Sequence, residues 1–450
     1  MKHYARKVRE TLFDLIHETA QIAWLFSKNP GKDFTRTRKL DFAKIVSILL
    51  AMEGGTLTTE LLRYFKCSDN MPTTSAFVQQ RSKLRPEAME FIFREFANSF
   101  PGEKLYRGYR LLATDGSDMQ LPTDRTDPET YYAGEEGKKP YNITKLNALY
   151  DLCSHLYVDA IVQGKRICNE NKMLAKMVDR SSLQGPVILI ADRGFESYNS
   201  MVHVQRKGWK YLIRAKDVRG IVYGLDLPKQ EEFDVPLHLM LTRKQTKEVK
   251  ALLKDRNHYR FIPYTANFEF LPHSGGPLFY EVNFRVARFK ISENSFETVV
   301  TNLDPNQIPP SELKKLYAMR WGIETSFRKL KYTLGLLSFH AKKVEHILQE
   351  IFARLIMYNF TELITSHAVI QKKDRKYAYQ ANFSAAVHIC RQFLRGDVSP
   401  PRVEALISRF ISPIRPGRSS PRKLTCIAFF GRPKSVYLSC LPVKNWVHPL

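Results

Sequence analysis

The sequence has few cysteines and no arrangement of them that suggests a bound metal or a disulfide framework. Its six cysteines are scattered over 450 residues, and no two of them form a CxxC pair. None has the spacing to a histidine that structural zinc sites use. This excludes a zinc-finger class of protein, and free thiols of this kind are typical of the cytoplasm.

Long apolar runs are also missing. The N-terminal segment MKHYARKVRETLFDLIHE is charged throughout and lacks the apolar core of a signal peptide. No uncharged stretch reaches the roughly 18 residues that a membrane-spanning helix needs. We therefore expect a cytoplasmic protein without a membrane partner.

Acidic residues are scarce relative to basic ones. The chain has 70 Lys and Arg against 45 Asp and Glu, a formal net charge of +25 and a pI near 9.7. Hydrophobic residues make up 44% of the sequence, which is enough for a folded core. A folded protein this basic usually binds a polyanion, and nucleic acid is the leading candidate. The alternative is a basic surface that only contacts water.

The first part of the chain, residues 1–105, has helical patterns. The segment DFAKIVSILLAMEGG predicts an amphipathic helix with Asp41 as its N-cap and the glycine pair at 54–55 as its end. Two shorter helices, TTELLRYF and TTSAFVQQRSKL, follow, and RPEAMEFIFREFANSF predicts a longer one. These helices are consistent with a DNA-binding helix-turn-helix or with a plain helical bundle.

From residue 106 onward, predicted strands alternate with helices, which indicates an α/β fold. The segment YRLLATDGSDMQL predicts a strand, a turn at Gly116 and a second short strand, and VILIA predicts a short buried strand. We divide the remaining chain into four parts. These are a first α/β part at 106–215, a β-rich insertion at 216–300, a second part with a long helix at 301–345, and a helical C-terminal region with a basic tail at 346–450.

Two aspartates each follow an apolar strand. Asp115 comes after LLAT and Asp192 after VILIA, each close to a glycine. Carboxylates at strand ends are suited to Mg²⁺, and two such ions can hold the attacking and leaving oxygens of a phosphodiester displacement. Taken alone, an aspartate in this position is more often a turn residue than a metal ligand. Asp118 competes with Asp115 for the same role, and Asp151 is a further candidate.

The third carboxylate lies on the predicted helix LYAMRWGIETSFRKLKYTLGL, which we expect to continue to about Leu337. At about 100° per residue, four side chains fall on one narrow stripe beside the apolar face. They are Tyr317, Arg320, Glu324 and Lys331. The alternative is a solvated face with ion pairs from Glu324 to Arg320 and Arg328, but such pairs give no reason for the tyrosine.

The spacing Y-(2)-R-(3)-E-(6)-K resembles the signature of the DDE transposases of the insertion sequence 4 family. The surrounding RWGIETSFRKLK, the DGS at 115, the ADRGF at 191, the TNL before the helix and the TSAFVQQRSKL element resemble that family as well. The resemblance covers residues from about 40 to about 425. It implies a ribonuclease H-like catalytic domain interrupted by a β-rich insertion, behind a helical N-terminal DNA-binding domain.

The resemblance also implies a function and a set of roles. Asp115, Asp192 and Glu324 would bind two Mg²⁺ ions, for which Mn²⁺ may substitute. The protein would cut double-stranded DNA at the terminal inverted repeats of a transposon and transfer the 3′-hydroxyl into target DNA. It would act as a homodimer in the nucleoid of a bacterium. Five residues would contact DNA, with Trp321 either stacking on a base or lying in the core. These are Tyr317, Arg320, Trp321, Arg328 and Lys331.

Two other functions remain open from the residues. One is a metal-dependent nuclease or resolvase of the same fold, which would share the carboxylates but not strand transfer. The other is a transposon-derived protein that binds DNA without cutting it. The intact set of Asp115, Asp192 and Glu324 favours an enzyme. The last fifty residues, 401–450, carry nine Lys or Arg and one acid, so this tail is suited to a phosphate backbone or is simply solvated.

Overall fold

One mixed β-sheet organises the middle of the chain, with helices before and after it. The computed structural model describes residues 4–36, 38–135, 137–216, 220–368, 370 and 377–414. Of the predicted basic tail at 401–450, residues 415–450 lie outside the described residues. The predicted α/β class is confirmed by this mixed architecture.

The described residues of the N-terminal part contain five α-helices: α1 (Tyr4–Gln21), α2 (Phe42–Ala51), α3 (Leu57–Tyr64), α4 (Thr74–Arg81) and α5 (Pro86–Asn98). The last four lie in the segments that the sequence predicts as helices, whereas α1 had no individual prediction. Asp41 caps α2 as predicted, since its side chain accepts a hydrogen bond from the Lys44 amide at 2.7 Å. Residues 65–73 separate α3 from α4, a longer connection than the three or four residues of a helix-turn-helix.

The sheet contains ten strands. In chain order they are β1 (Arg110–Leu121), β2 (Tyr131–Tyr132), β3 (Tyr141–Asp151), β4 (Leu156–Gly164), β5 (Val187–Ala191), β6 (Lys210–Arg214), β7 (Phe233–Thr242), β8 (Tyr259–Phe261), β9 (Tyr280–Ser292) and β10 (Ser295–Thr301). Across the sheet the order is β2-β3-β1-β5-β6-β10-β9-β7-β8, and β4 also pairs with β3. The three central strands β1, β5 and β6 are parallel to one another, and their other neighbours are antiparallel to them.

The strand β1 corrects one prediction. It runs without interruption through Gly116, which pairs with Asn147 of β3, so there is no turn and no second strand. The glycine is explained by crowding: a Cβ there would lie 2.5 Å from Lys145 Cε and 2.6 Å from Glu170 Oε1. Gly116 is therefore required by the close approach of the Lys145 and Glu170 side chains and not by a turn.

The strands of the 216–300 segment extend the same sheet. Residues 220–232 form turns, and strand structure begins only at Phe233. From there β7, β8 and β9 build the far edge, and β10 returns to pair with β6. Helices α6 (Glu170–Asp179), α7 (Tyr198–Arg206) and α8 (Lys247–Leu252) lie between the strands along the chain.

The C-terminal part is mainly helical. Its elements are α9 (Pro310–Met319), α10 (Trp321–Arg328), α11 (Val344–Ser366), β11 (Tyr379–Ala381), α12 (Phe383–Arg395), α13 (Pro400–Arg409) and β12 (Ile411–Pro413). The helix α11 is buried over most of its length and packs against α1, α2 and α5 of the N-terminal part. This arrangement agrees with the helical-bundle alternative. Among the described residues, no helix has the length and hydropathy that a membrane crossing requires.

The two faces of the sheet are covered by different helices. Leu111 and Ala113 of β1 belong to a core shared with α9, α10 and α11, whereas Leu112 belongs to a core shared with α6 and α7. Because side chains alternate along a strand, Asp115 points to the same side as Leu111 and Ala113. The strand therefore directs Asp115 toward the helices that follow the sheet.

A buried ionic network joins the N-terminal helices to α11. His340 lies 3.3 Å from Glu350 Oε2 and 3.9 Å from Glu60 Oε1, and its side chain is almost fully buried. Burial lowers the pKa of His340, but its hydrogen bond to Glu350 and the nearby Glu60 carboxylate outweigh this and raise the pKa to about 9. The folded protein therefore keeps His340 charged at neutral pH.

We predict that this network makes stability fall as the solution becomes alkaline. Since the pKa of His340 is raised above its ordinary value of 6.5, its contribution is complete below pH 6.5 and is lost as pH rises toward about 9. Urea unfolding at pH 6 and pH 9.5 measures this. His340→Gln should have a smaller difference between the two pH values than the wild type, and equal differences would contradict the prediction.

Candidate active site

Asp115 and Asp192 lie side by side where the parallel pairing of β1 and β5 ends, although β1 itself continues beyond Asp115. In the parallel register of β1 and β5, Thr114 pairs with Ala191, and each aspartate is the next residue after this pair. Neighbouring strands are about 4.8 Å apart, and paired residues point to the same face. Ala191 in turn pairs with Ile213 of β6, which places Arg214 next in the row. Arg214 Nη1 is 4.0 Å from Asp192 Oδ1.

The helix that carries Glu324 differs from the prediction. It is divided at Arg320 into α9 and α10, and a π-helical turn at Lys329–Thr333 follows. At the division the Arg320 amide bonds to the Tyr317 carbonyl, three residues back, which tightens the turn. Gly335, with φ of 79°, ends the helix before the predicted limit at Leu337. The rotation from one residue to the next is therefore not a uniform 100° across this segment, as the predicted stripe assumed.

Arg320 connects two of the three carboxylates. Its Nη2 donates to Glu324 Oε1 at 2.8 Å, and its Nη1 lies 3.6 Å from Asp115 Oδ2. The pair with Glu324 is the four-residue helical pair that the alternative interpretation predicts, whereas Glu324 has no recorded contact with Arg328 among the described residues. The contact with Asp115 is distant in sequence, so Arg320 does more than stabilise its own helix.

Tyr317 connects the third carboxylate to the same helix. Its hydroxyl donates to Asp192 Oδ1 at 3.2 Å, and its ring lies 5.7 Å from the Arg320 guanidinium. Burial raises the pKa of Tyr317 above its ordinary value, so the hydroxyl keeps its proton and remains a donor. The Tyr–Arg–Glu part of the stripe is thus assembled around the two aspartates.

The charges of the site affect one another. The pKa of Asp115 is raised to about 6, chiefly by burial and further by the negative charges of Glu324 and Asp192, while Arg320 opposes the rise. Burial alone would lower the pKa of Arg320, but Tyr317 and the three carboxylates raise it instead. The negative charges of all three carboxylates therefore act on the single guanidinium of Arg320.

The other predicted DNA contacts occupy different positions. Arg328 is exposed, and Trp321 is 48% exposed, which excludes the alternative that this tryptophan is a core residue. The Trp321 ring lies 5.2 Å from the Arg320 guanidinium. Lys331 is half-buried in the π-helical turn, and burial lowers its pKa, with Asp118 opposing. Arg320 itself is buried, with its side chain only 6% exposed.

A layer of side chains behind α10 fixes its position. A hydrogen bond of 2.6 Å joins the Ser326 hydroxyl to the hydroxyl of buried Tyr157 from β4. Lys329 donates to Glu362 of α11 at 2.6 Å. Gly322 lets the helix approach closely, since a Cβ there would lie 2.9 Å from Leu152 Cδ2. These contacts hold the Glu324 end of the helix against the sheet.

The two competing aspartates have other partners. Asp118 is three residues beyond Asp115 on an alternating strand, so it points to the opposite face, where it pairs with Lys165 at 2.9 Å. Asp151 is buried in an ion pair with Arg110 at 2.6 Å and accepts two backbone N–H bonds. Both carboxylates are therefore explained by their local ion pairs.

We predict that Asp118→Asn leaves any DNA cleavage by this protein at the wild-type level. The substitution removes a charge from the opposite face and keeps the size of the side chain. A cleavage assay on the purified variant measures this. A loss comparable to that of Asp115→Asn would show that the wrong residue of the DGSD motif has been assigned.

Arg214 is a site residue that the sequence interpretation missed. It ends β6 in the segment KYLIR, and besides approaching Asp192 its Nε is 3.1 Å from Glu297. The sequence did contain a signal for it. The segment KYLIR predicts a strand after the helix that follows Asp192, and in a βαβ unit the end of that strand lies beside the end of β5.

The donor set fits a hard divalent cation. Asp115, Asp192 and Glu324 offer only carboxylate oxygens, which Mg²⁺ and Mn²⁺ prefer, and the negative charges of Glu324 and Asp192 add to the burial that raises the pKa of Asp115. In the conformation of the structure, no three Asp, Glu, His or Cys side chains of the described residues are close enough together to enclose an ion. Arg320 contacts two of these carboxylates instead.

Comparison with known proteins identifies the family. The model of the family described as "Transposase DDE domain" matches residues 106–360, which is more than half of the chain. The chain belongs to the DDE transposases. This confirms the family predicted from the Tyr-Arg-Glu-Lys spacing, and the matched range includes all three carboxylates.

Two individual proteins are similar to this transposase. It is 23% identical over 370 residues to "Transposase InsG for insertion sequence element IS4" of Escherichia coli strain K12, covering 77% of this chain and 75% of the relative. A solved structure, the cryo-EM synaptic complex of piggyBac transposase with hairpin DNA, is 11% identical with a TM-score of 0.43. That match covers 87% of this chain and 78% of the other.

Proposed function

We propose that this transposase cuts double-stranded DNA at the ends of a transposon and joins the freed 3′-hydroxyl to target DNA. Asp115, Asp192 and Glu324 would form its one active site. The observation that carries this proposal is their arrangement around Arg320. Carboxylates from two parallel strands and one helix, more than 200 residues apart at the extremes, act on the same guanidinium.

We also propose that the catalytic domain is ribonuclease H-like. The antiparallel strands β4, β3 and β1 are followed across the sheet by β5 and β6, which are parallel to β1. This order of three antiparallel and two parallel strands is the one expected of such a core. Asp192 follows the carboxyl end of β5, and Asp115 lies in β1 directly after its last pair with β5. The carboxyl ends of parallel strands are where α/β sheets place their ligands.

The three carboxylates would hold two Mg²⁺ ions, or Mn²⁺ in their place. When bound, such ions lower the pKa of water and stabilise the charge that develops on a phosphodiester. The protein's own groups prepare the site. Tyr317 fixes the orientation of Asp192, and the layer of Tyr157 and Ser326 fixes the helix of Glu324. Each carboxylate is thereby held in position before DNA arrives.

Cationic and aromatic side chains beside the carboxylates are available to DNA. Arg328 and Trp321 are exposed on the same helix as Glu324, and Lys331 follows in the π-helical turn. Guanidinium and ammonium groups bind phosphate oxygens, and an exposed indole can stack on an unpaired base. The net charge of +25 adds an attraction for DNA that depends on salt concentration.

Incubation of the purified protein with DNA that carries the terminal repeats of its element, together with Mg²⁺ and a target plasmid, tests this function. We expect cleavage at the repeat ends followed by covalent joining of the 3′-end to the plasmid. Cleavage without joining would identify a nuclease of the same fold. Binding without cleavage would identify a protein that has kept only its affinity for DNA, and either result contradicts the proposal.

A further inference from the structure

The carboxylate site contains a cation that belongs to the chain itself. Arg320 is 5% exposed, contacts Asp115 and Glu324 through different nitrogens, and lies between the rings of Tyr317 and Trp321. A guanidinium held in this way is far from the solvent-exposed position that a simple phosphate contact would have. Its place among the carboxylates needs an explanation of its own.

The charges of the site suggest what Arg320 does. Arg214 and Glu297 form a neutral pair beside Asp192, so the three carboxylates and Arg320 set the net charge at −2, which a single divalent cation balances. A second divalent cation would bring the charge of the site to +2. Its repulsion from the first ion and from the buried Arg320 guanidinium is unfavourable, and a DNA phosphate brings the negative charge that reduces it.

We propose that Arg320 is a built-in counter-ion that limits the site to one divalent cation until DNA is bound. The inference rests on the proposed function, since it takes the three carboxylates as the metal-binding groups. In the absence of DNA, Arg320 occupies part of the space and neutralises part of the charge that a second ion would use. Binding of DNA supplies a phosphate, and the second ion then binds together with it. The protein would thus assemble its full metal complement only on its substrate.

Counting Mn²⁺ ions bound to the purified protein tests this without reference to activity. For the wild type, titration followed by the electron paramagnetic resonance of free Mn²⁺ should give one bound ion without DNA and two with repeat-end DNA. Arg320→Gln removes the charge and should bind a second ion without DNA, with an affinity at least about tenfold above that of the wild type. Arg328→Gln is the matched control for the titration without DNA, since it removes an arginine from the exposed side of α10 and should there bind one Mn²⁺ ion as the wild type does.

Two further measurements guard against a variant that only misfolds. Arg320→Lys keeps the charge and should still bind one ion without DNA. The thermal midpoint of Arg320→Gln should be below that of the wild type without metal, because the carboxylates repel one another. Saturating Mn²⁺ should raise the variant's midpoint more than that of the wild type, since the ions bind the folded state more tightly.

Equal Mn²⁺ stoichiometry and affinity in the wild type, Arg320→Gln and Arg328→Gln would overturn the counter-ion role and leave the proposed active site intact. If the wild type bound no Mn²⁺ even with DNA present, the metal site itself would be wrong, and the inference would fall with it. The DNA-free stoichiometry of the wild type is informative by itself, because two ions bound without DNA would also contradict the role of Arg320.

Discussion

Asp192→Asn and Glu324→Gln are each expected to reduce cleavage of transposon-end DNA by at least about 1,000-fold. Both substitutions keep the shape of the side chain and remove its charge, so they weaken the hold on a divalent cation. The same variants should bind end DNA as tightly as the wild type, because neither residue supplies a positive charge. Gel-shift and cleavage assays on the same preparations separate the two effects.

The structure supplies an internal control for this result. Asp118→Asn removes a carboxylate of the same DGSD motif from the opposite face of β1. If all three variants lost cleavage equally, the effect would be one of general charge or folding. If Asp192→Asn and Glu324→Gln both cleaved at the wild-type rate, the active site would have to lie elsewhere.

Arg81→Ala should destabilise the folded protein by about 3–5 kcal/mol, the largest effect that we expect outside the active site. Arg81 lies on α4 and is 2% exposed, and its guanidinium donates to Gln349 at 2.7 Å and to Glu350 at 2.9 Å. It also donates to the backbone carbonyl of His346. The variant would leave the Glu350 carboxylate buried with one of its cationic partners removed.

The pKa of Glu350 shows how strongly its environment holds the charge. Burial alone would raise this pKa, but the hydrogen bond with His340 and the charges of Arg81 and Arg354 lower it to about 2. The carboxylate therefore stays ionised at neutral pH. Loss of Arg81 would force it to remain charged with fewer partners or to take up a proton, and both cost free energy.

Urea unfolding of Arg81→Ala measures this cost. Gln79→Ala is the matched control, since it truncates an exposed side chain on the same helix and should change the unfolding free energy by no more than about 0.5 kcal/mol. A loss below about 1 kcal/mol for Arg81→Ala would mean that the network between the N-terminal helices and α11 contributes little to stability.

The sequence was sufficient where the signal is local. The apolar run VILIA forms β5, which ends directly before Asp192, and Asp41 caps α2, as their patterns predict. The spacing from Tyr317 to Lys331 identified the family, because that family needs those four residue types at fixed separations. These features depend on neighbours within a turn or a strand, which a single sequence contains.

The features that the sequence did not reveal depend on distant contacts. A helical wheel assumes a constant step, so it could not show that the helix divides at Arg320 and tightens there. It also could not show that Asp115 of β1 approaches Arg320, since that contact has no local sign. Likewise, Arg81 and Glu350 are 269 residues apart, and nothing near either one indicates that they meet in the interior.

The most direct measurement of the central claim is strand transfer by a transposon end that has already been cut. Asp115, Asp192 and Glu324 form one site for both steps in this account. Wild-type protein with Mg²⁺ should therefore join the pre-cut 3′-hydroxyl to a target plasmid, and Asp192→Asn, which binds the same DNA, should form no joined product. Joined product from Asp192→Asn at the wild-type rate would contradict the account.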